Sequence, residues 1–450
     1  MQIMDMEYVR KLEKQFQERF QKSSDFSYKE IEIGGEPFKA YFFHSLVNLS
    51  ATMSIMNQFG HSQDNKWKQE FLHGMEGEAS ATASLEKICK AVLQGMLVLF
   101  GKEGEVAVIE PKAQDISRPV MTPNSENPLQ SSFDAFTEDI EMNIGLLRKK
   151  ILSDQLVIES RQIGTQSIKK MAIAYMEGVA RPEVIESIRK KLDENSGQEL
   201  ATIRDLTSIL GHPKFTLAPT YTSSELPGET MQNIQNGKVV ILLDQFSFAF
   251  AFPAIVTDLW STSLDTQYPL LFQIFLRIIR GMAMLLAIIL PGLYVVLNSV
   301  NPELLRIQLA IAVAENRQGV PYPSIIEALL VMLLLEMIIE ATIRLPKNIG
   351  PTITMIGGIL LGQAIIQAKL VSNLLIIILV ASAIANFALT SYMNSVGVRL
   401  YKYVVLFASS VFGIWGIEVA LIWLTLYFSS LTSCSVPYLS FSLKGKTSDE

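Results

Sequence analysis

Glu336, Glu340 and Arg344 follow one another at four-residue steps inside an otherwise apolar run. In a helix the three share one face, and Glu340 and Arg344 have the i,i+4 spacing of an ion pair. Glu327 falls about half a turn round, on another face. A charge at the centre of a bilayer costs about 2.5–3.5 kcal/mol on insertion scales, unless it meets water, a partner or protein interior. The stripe therefore has two equal readings: the lining of a cation pathway or subunit interface, or the wet face of an amphipathic helix at a membrane surface. Gln363, Gln367, Asn386 and Glu418 are single polar residues in apolar surroundings, suited to hydrogen bonds between helices. Gly357, Gly358 and Gly362, with Gln363 beside them, have the small-residue spacing that allows close helix packing and, secondarily, oligomerisation.

Other chemistry finds little support. GxxxxGK[ST], HExxH, GxSxG and CxxC motifs are absent, and Gly101 with Gly104 is too sparse for a dinucleotide fingerprint. His44, His61, His73 and His212 lack ligand-like spacing, and Cys89 and Cys434 fall one in each half of the chain. No catalytic, metal or cofactor site is expected, and enzyme is the weaker class. The net charge of −6, with no dense basic run, argues against nucleic acid.

The elements that must position these residues divide at about Leu270. Hydrophobic residues make up 49% of the chain, charged residues 18%, and the mean hydropathy is +0.29. From Leu270 to Leu443 only about fifteen residues are charged, and the long apolar runs concentrate there. Five apolar stretches stand out: Met282–Leu297, Ile325–Ile343, a Gly-rich Ile349–Ala368, Val371–Met393 and Val404–Leu431. Basic flanks occur at Arg277 and Arg280, Arg344 and Lys347, Arg399 and Lys402, and Lys444 and Lys446. Met1–Ser24 has no apolar core of a secretory signal, so the first half is expected in the cytosol. Five crossings would place Lys444 and Lys446 outside, against the positive-inside tendency. One stretch is therefore expected not to cross, with Ile325–Ile343 and the Gly-rich stretch as candidates.

The first half reads as mixed α and β. Short β-branched or aromatic runs predict strands at Tyr28–Ile33, Lys39–Phe43, Met96–Phe100, Val106–Glu110, Lys170–Tyr175 and Lys238–Leu243. Helices are predicted at Glu138–Ile151 and Arg181–Leu192. Gly95–Pro111 aligns without a gap on Gly237–Pro253, each a glycine, strand, turn, strand and proline, which suggests two repeated subdomains. The expected organisation is a helical extension (1–24), subdomain 1 (25–115), a linker with an amphipathic helix (116–152), subdomain 2 (153–265), a membrane domain (266–443) and a short polar tail (444–450). The fold class is thus an α+β soluble module of two α/β subdomains followed by an all-α polytopic transmembrane bundle. About four crossings and one amphipathic or re-entrant segment are expected.

The run from Gln308 to Gln367 carries QLA, RQGVPYP, EALL with Glu336 and Glu340, ATIRLPKNIG and GGILLGQA in order. Further matches are Arg399, Gly413, Gly416, Ser433 and Pro437–Leu439, with Arg118-Pro119, Phe136–Asp139, Asn143 and Leu146–Ile151 in the first half. In these motifs the chain resembles the GerA spore germination family, specifically the A subunit of nutrient germinant receptors. It departs from that pattern at Ser131, Ser132 and Phe133, at Ile339, at Thr390 and at Cys434-Ser435. The resemblance implies a multi-pass protein of the bacterial spore inner membrane, its soluble half on the core side. It implies a transporter-like B subunit and a lipoprotein C subunit as partners, a homo-oligomer in membrane lipid, and passage of monovalent cations. Glu327, Glu336, Glu340 and Arg344 are then the candidate pore or interface residues. A non-conducting scaffold or a divergent paralogue is the alternative.

Overall fold

The computed structural model describes residues 6–33, 36–59, 78–79, 84–102, 105–114, 134–345, 350–389 and 391–443. Arg118-Pro119, Ser131–Phe133, Lys347, Thr390, Lys444 and Lys446 lie outside these residues.

Helix α1 (Met6–Phe20) presents Val9, Leu12, Phe16 and Phe20 on one face at three- and four-residue steps, and all four are buried. They pack on the sheet formed by β1 (Phe26–Ile33), β2 (Glu36–Phe43), β3 (Glu78–Ala79), β4 (Leu97–Gly101) and β5 (Val106–Ile109). The expected helical extension is therefore part of the core of subdomain 1: Phe16 meets Phe20, Phe26 and Tyr41 edge-on. Helices α2 (Leu49–Phe59) and α3 (Leu85–Leu93) also belong to this subdomain.

After α4 (Ile140–Lys150), capped by Asp139, the second subdomain repeats the plan. Its sheet contains β6 (Leu156–Ile163), β7 (Lys169–Met176), β8 (Thr222–Ser224), β9 (Val239–Leu243) and β10 (Ala249–Phe252). The strand orders are β1-β2-β4-β5-β3 and β6-β7-β9-β10-β8, the same path through each sheet. The aligned segments noted in the sequence are the hairpins β4–β5 and β9–β10. Strand β6 was not expected: it is an edge strand, and its second half, Glu159–Gln162, is polar on both faces, which hides the β pattern. Helices α5 (Pro182–Glu194), α6 (Ile203–Ile209) and α7 (Pro227–Gln235) pack around it.

The two subdomains are clasped by one buried ion pair. Arg148 of α4 donates Nε and Nη2 to the two carboxylate oxygens of Asp25, at 2.9 and 2.8 Å. Nη1 donates to Leu156 O and Nη2 also to Ser23 Oγ, and the guanidinium lies 4.4 Å over the Phe43 ring. Every guanidinium nitrogen is hydrogen-bonded, as burial of such a charge requires.

The helical half comprises α8 (Leu270–Val295), extended by a π turn to Val300, a short α9 (Ile307–Asn316), α10 (Ser324–Arg344), α11 (Gly350–Gln367), α12 (Asn373–Phe387), α13 (Tyr392–Phe412) and α14 (Ile414–Ser430). Two of these, over Leu270–Val300 and Tyr392–Phe412, are long and apolar enough to cross a membrane. Pro291, inside α8, has no N–H for the Ala287 carbonyl four residues back. That carbonyl instead accepts from Ser382 Oγ of α12 at 2.8 Å, so the break becomes a contact between helices.

The fifth apolar stretch, Val404–Leu431, is two helices. Gly413 at φ +64° turns the chain, and Asn301 Oδ1 accepts the first free amide of α14, that of Ile414. Tyr401 packs on Phe428, and a Cβ at Gly416 would fall on the Ala408 carbonyl, so α13 and α14 are antiparallel. A purely apolar pattern cannot show this turn, because only Gly413 marks it. Six helices of fifteen residues or more, not five, thus make up this half. The chain then returns to subdomain 2, where a hairpin of β11 (Thr432–Ser433) and β12 (Val436–Pro437) buries Cys434, Val436 and Leu443 in its core. The helical domain therefore ends near Ser430 rather than at 443.

Candidate functional site

The charged residues of α10 separate into three environments. Glu327 is fully enclosed at the end of the bundle far from the sheets. Its carboxylate accepts from the Ser372 amide at 2.6 Å and from Tyr294 Oη at 3.1 and 3.2 Å, with Arg317 3.6 Å away. Tyr294 Oη also meets Ser372 Oγ at 2.8 Å. One carboxylate thereby ties α8, the loop after α9, α10 and the N-cap of α12. Expected at a pore or a subunit interface, Glu327 is interior within this single chain.

Glu336 faces α13. Its two oxygens meet Arg399 Nη1 and Lys402 Nζ, each at 2.9 Å. Tyr392 lies under the Arg399 guanidinium at 5.8 Å. Glu340 and Arg344 form the predicted i,i+4 pair, 2.8 Å, in the open. The single stripe therefore does not act as a unit. Glu336 is turned inward by two cations 63 and 66 positions along the chain, which spacing within one helix cannot reveal. Arg399 and Lys402, read in the sequence as a flank, are in fact its partners.

Gly358 and Gly362 have open space where a Cβ would stand, so among the described residues they pack on no other element at that position. The side-chain surroundings of Gly357 lie outside the described residues. Gln363, Gln367 and Glu418 are exposed, whereas Asn386 Nδ2 donates to Ser395 Oγ between α12 and α13. The close approaches occur at Gly292, against Ser409 and Val405, and at Gly416.

The helical half is joined to subdomain 2 by groups that, apart from the basic flank residue Arg280, the sequence did not single out. Leu217 donates its amide to Tyr427 Oη at 2.8 Å, and its carbonyl accepts from Tyr401 Oη at 2.5 Å. Asn394 Nδ2 donates to Asp258 O, and Arg280 to Asp265, at 2.9 and 2.6 Å. Burial pushes the Asp265 carboxyl up, but the Arg280 and Thr262 hydrogen bonds more than offset this and leave it below the usual carboxylate range. A phenol within an apolar helix was the available signal for Tyr401 and Tyr427.

Nearby, His212 stacks on Phe252 and lies 3.9 Å from Cys434 Sγ. Burial, with some repulsion from Lys191, pushes the imidazole down to about 4, and burial pushes the Cys434 thiol up to about 11. A neutral imidazole beside a protonated thiol is packing, not an activated nucleophile. Among the described residues no cluster of His, Cys, Asp and Glu could hold a metal ion.

The model of the Bacillus/Clostridium GerA spore germination protein family matches residues 14–449. The chain belongs to the GerA family. Relatives include spore germination protein GerLA of Bacillus cereus, 29% identical over 80% of this chain and 73% of that protein. Spore germination protein A1 of Bacillus subtilis is 28% identical over 82% and 77%, and the uncharacterized membrane protein YfkQ of the same organism is 28% identical over 79% and 70%. Among solved structures, the N-terminal domain of the A subunit of the Bacillus megaterium spore germinant receptor GerK3 matches 54% of this GerA chain and 93% of its own. The TM-score is 0.42 and the identity 20%.

Within this GerA-family chain the site is a set of charges that hold helices together.

Proposed function

We propose that the chain is the A-type membrane subunit of a spore germinant receptor, acting with a transporter-like B subunit and a lipoprotein C subunit in the spore inner membrane. The observation that carries this reading is the family match over residues 14–449, which takes in both halves. In this reading all six long helices cross the bilayer, while the short α9 segment lies at the surface. An even number of crossings agrees with the chain leaving subdomain 2 at Leu270 and returning to it at Cys434. The α/β half is then cytosolic and faces the spore core.

The subunit oligomerises and passes monovalent cations when its partners sense a nutrient. Exposed Glu340, and the open faces of Gly358 and Gly362, are the groups available to a neighbouring copy or a pore. Glu336 would join them only if α10 and α13 moved apart. A second reading, a non-conducting scaffold, is favoured by the internal neutralisation of Glu336 and the enclosure of Glu327.

The test is potassium flux from liposomes carrying this chain together with B- and C-type subunits, challenged with a panel of nutrients. Nutrient-dependent flux that changes in Glu340→Gln supports conduction through this subunit. A complex that assembles but stays closed to ions under every nutrient overturns it in favour of the scaffold.

A further inference from the structure

Between α10, α12 and α13, at the end of the bundle near the sheets, lies a lateral cavity of about 510 Å³. That size is ordinary for a ligand site. Its walls are apolar, with Leu335, Ile338 and Ile343 on α10 and Ala383 and Phe387 on α12. Its floor is not. Arg399 and Asn386 line it, each more than nine-tenths buried, and Arg399 Nε and Asn386 Oδ1 have no hydrogen-bond partner among the described residues. A buried donor and a buried acceptor without partners, in two residues that line one apolar cavity, are costly unless a ligand satisfies them.

The charge beside the cavity is unbalanced. Glu336 is one carboxylate against two cations, Arg399 and Lys402, while Glu340 and Arg344 cancel each other. The remainder is one positive charge. Arg399 is five residues along α13 from Asn394, which bonds to Asp258 of the α/β half. That places the charge roughly 7–8 Å along the helix axis from this junction.

We propose that this cavity binds one anionic glycerophospholipid from the leaflet on the α/β side. An acyl chain lies along Ile338 and Ala383, a phosphate oxygen accepts from Arg399 Nε, and a headgroup hydroxyl donates to Asn386 Oδ1. The lipid would link α10, α12 and α13 without disturbing the Glu336 pairs. The inference rests on the membrane reading above and goes beyond it.

The test uses the full chain extracted in neutral detergent and titrated with dioleoyl phosphatidylglycerol or dioleoyl phosphatidylcholine, bound lipid being counted by native mass spectrometry. The expected result is one phosphatidylglycerol retained at least about five-fold over phosphatidylcholine, the order expected for one added charge contact. Ile338→Trp fills the cavity and should abolish retention. Asn386→Leu leaves the ion pairs intact and should lower the headgroup preference without abolishing it, with an unchanged melting curve showing that the variant is folded. Equal retention of both lipids by the wild type, or wild-type retention by Ile338→Trp, overturns the proposal. A dimer that dissociates in Ile338→Trp, with no lipid retained by the wild type, would assign the cavity to a second copy instead. If the chain is recovered from cells without detergent, the membrane reading itself fails; membrane extraction without lipid selectivity sinks only this inference.

Discussion

Glu336 receives Arg399 on one carboxylate oxygen and Lys402 on the other, both at 2.9 Å, so one acid holds two cations of the facing helix. Removing it leaves those cations, each about nine-tenths buried, facing one another. Glu336→Gln should therefore destabilise the detergent-solubilised chain by about 3 kcal/mol, within the range for breaking a buried pair. Glu340→Gln, which breaks an exposed i,i+4 pair, should cost no more than about 0.5 kcal/mol. Thermal melting of the two variants side by side reads the contrast, and equal losses would contradict the separation of the stripe.

Arg148 and Asp25 make the corresponding clasp in the α/β half, with even less exposure. Arg148→Met should cost about 3–5 kcal/mol by stranding the Asp25 carboxylate. The double variant Asp25→Leu/Arg148→Met should recover much of that loss, because a buried pair replaced by apolar groups of similar size is often near neutral. Denaturant unfolding of the single and double variants checks this; a double variant as weak as the single would argue that the hydrogen bonds to Ser23 and Leu156, not the charge pair, hold the clasp.

Much of this architecture could be read from local pattern, and what could not has a common cause. The hairpins β4–β5 and β9–β10 announce themselves because strand, turn and strand are contiguous. Asp25 and Arg148 lie 123 positions apart, and Glu336 and Arg399 lie 63 apart. No local periodicity links such pairs. Gly413 divides one apolar stretch into two helices, a break that hydropathy averages away. The parity conflict among five stretches assumed one helix per stretch, and the additional helix offers, under the proposed topology, a second way out of it besides a stretch that does not cross.

His212 makes stability depend on pH. Its imidazole is held down at about 4 by burial, against 6.5 for an unperturbed histidine. As pH falls from 6.5 towards 4, the unfolded chain takes up a proton that the folded chain refuses, so stability falls through that window and levels off below it. The loss amounts to about 3 kcal/mol at most. His212→Phe, which keeps a ring against Phe252, should flatten this part of the stability profile. An unchanged slope between pH 6.5 and 4 would place the titration elsewhere.

Gly416 sits where α14 crosses α13, and a Cβ there would collide with the Ala408 carbonyl. Because the obstacle is backbone, relief requires the hairpin to open. Gly416→Val should cost about 1–3 kcal/mol and make the α13–α14 turn accessible to protease. Gly358→Val, with open space beside it in the single chain, should leave the monomer's melting unchanged. Limited proteolysis with melting distinguishes the two positions.

The claim that the helical half leaves the α/β half, crosses a membrane six times and returns is tested most directly by cysteine labelling in intact cells. Cys89 and Cys434 are both buried and give little background. A membrane-impermeant maleimide should label Glu303→Cys, at the far end of α8, from outside. It should reach Glu340→Cys, near the end of α10, and Ile168→Cys, in the α/β half, only after permeabilisation. Labelling of Glu340→Cys from outside, or of Glu303→Cys only after permeabilisation, would contradict the account.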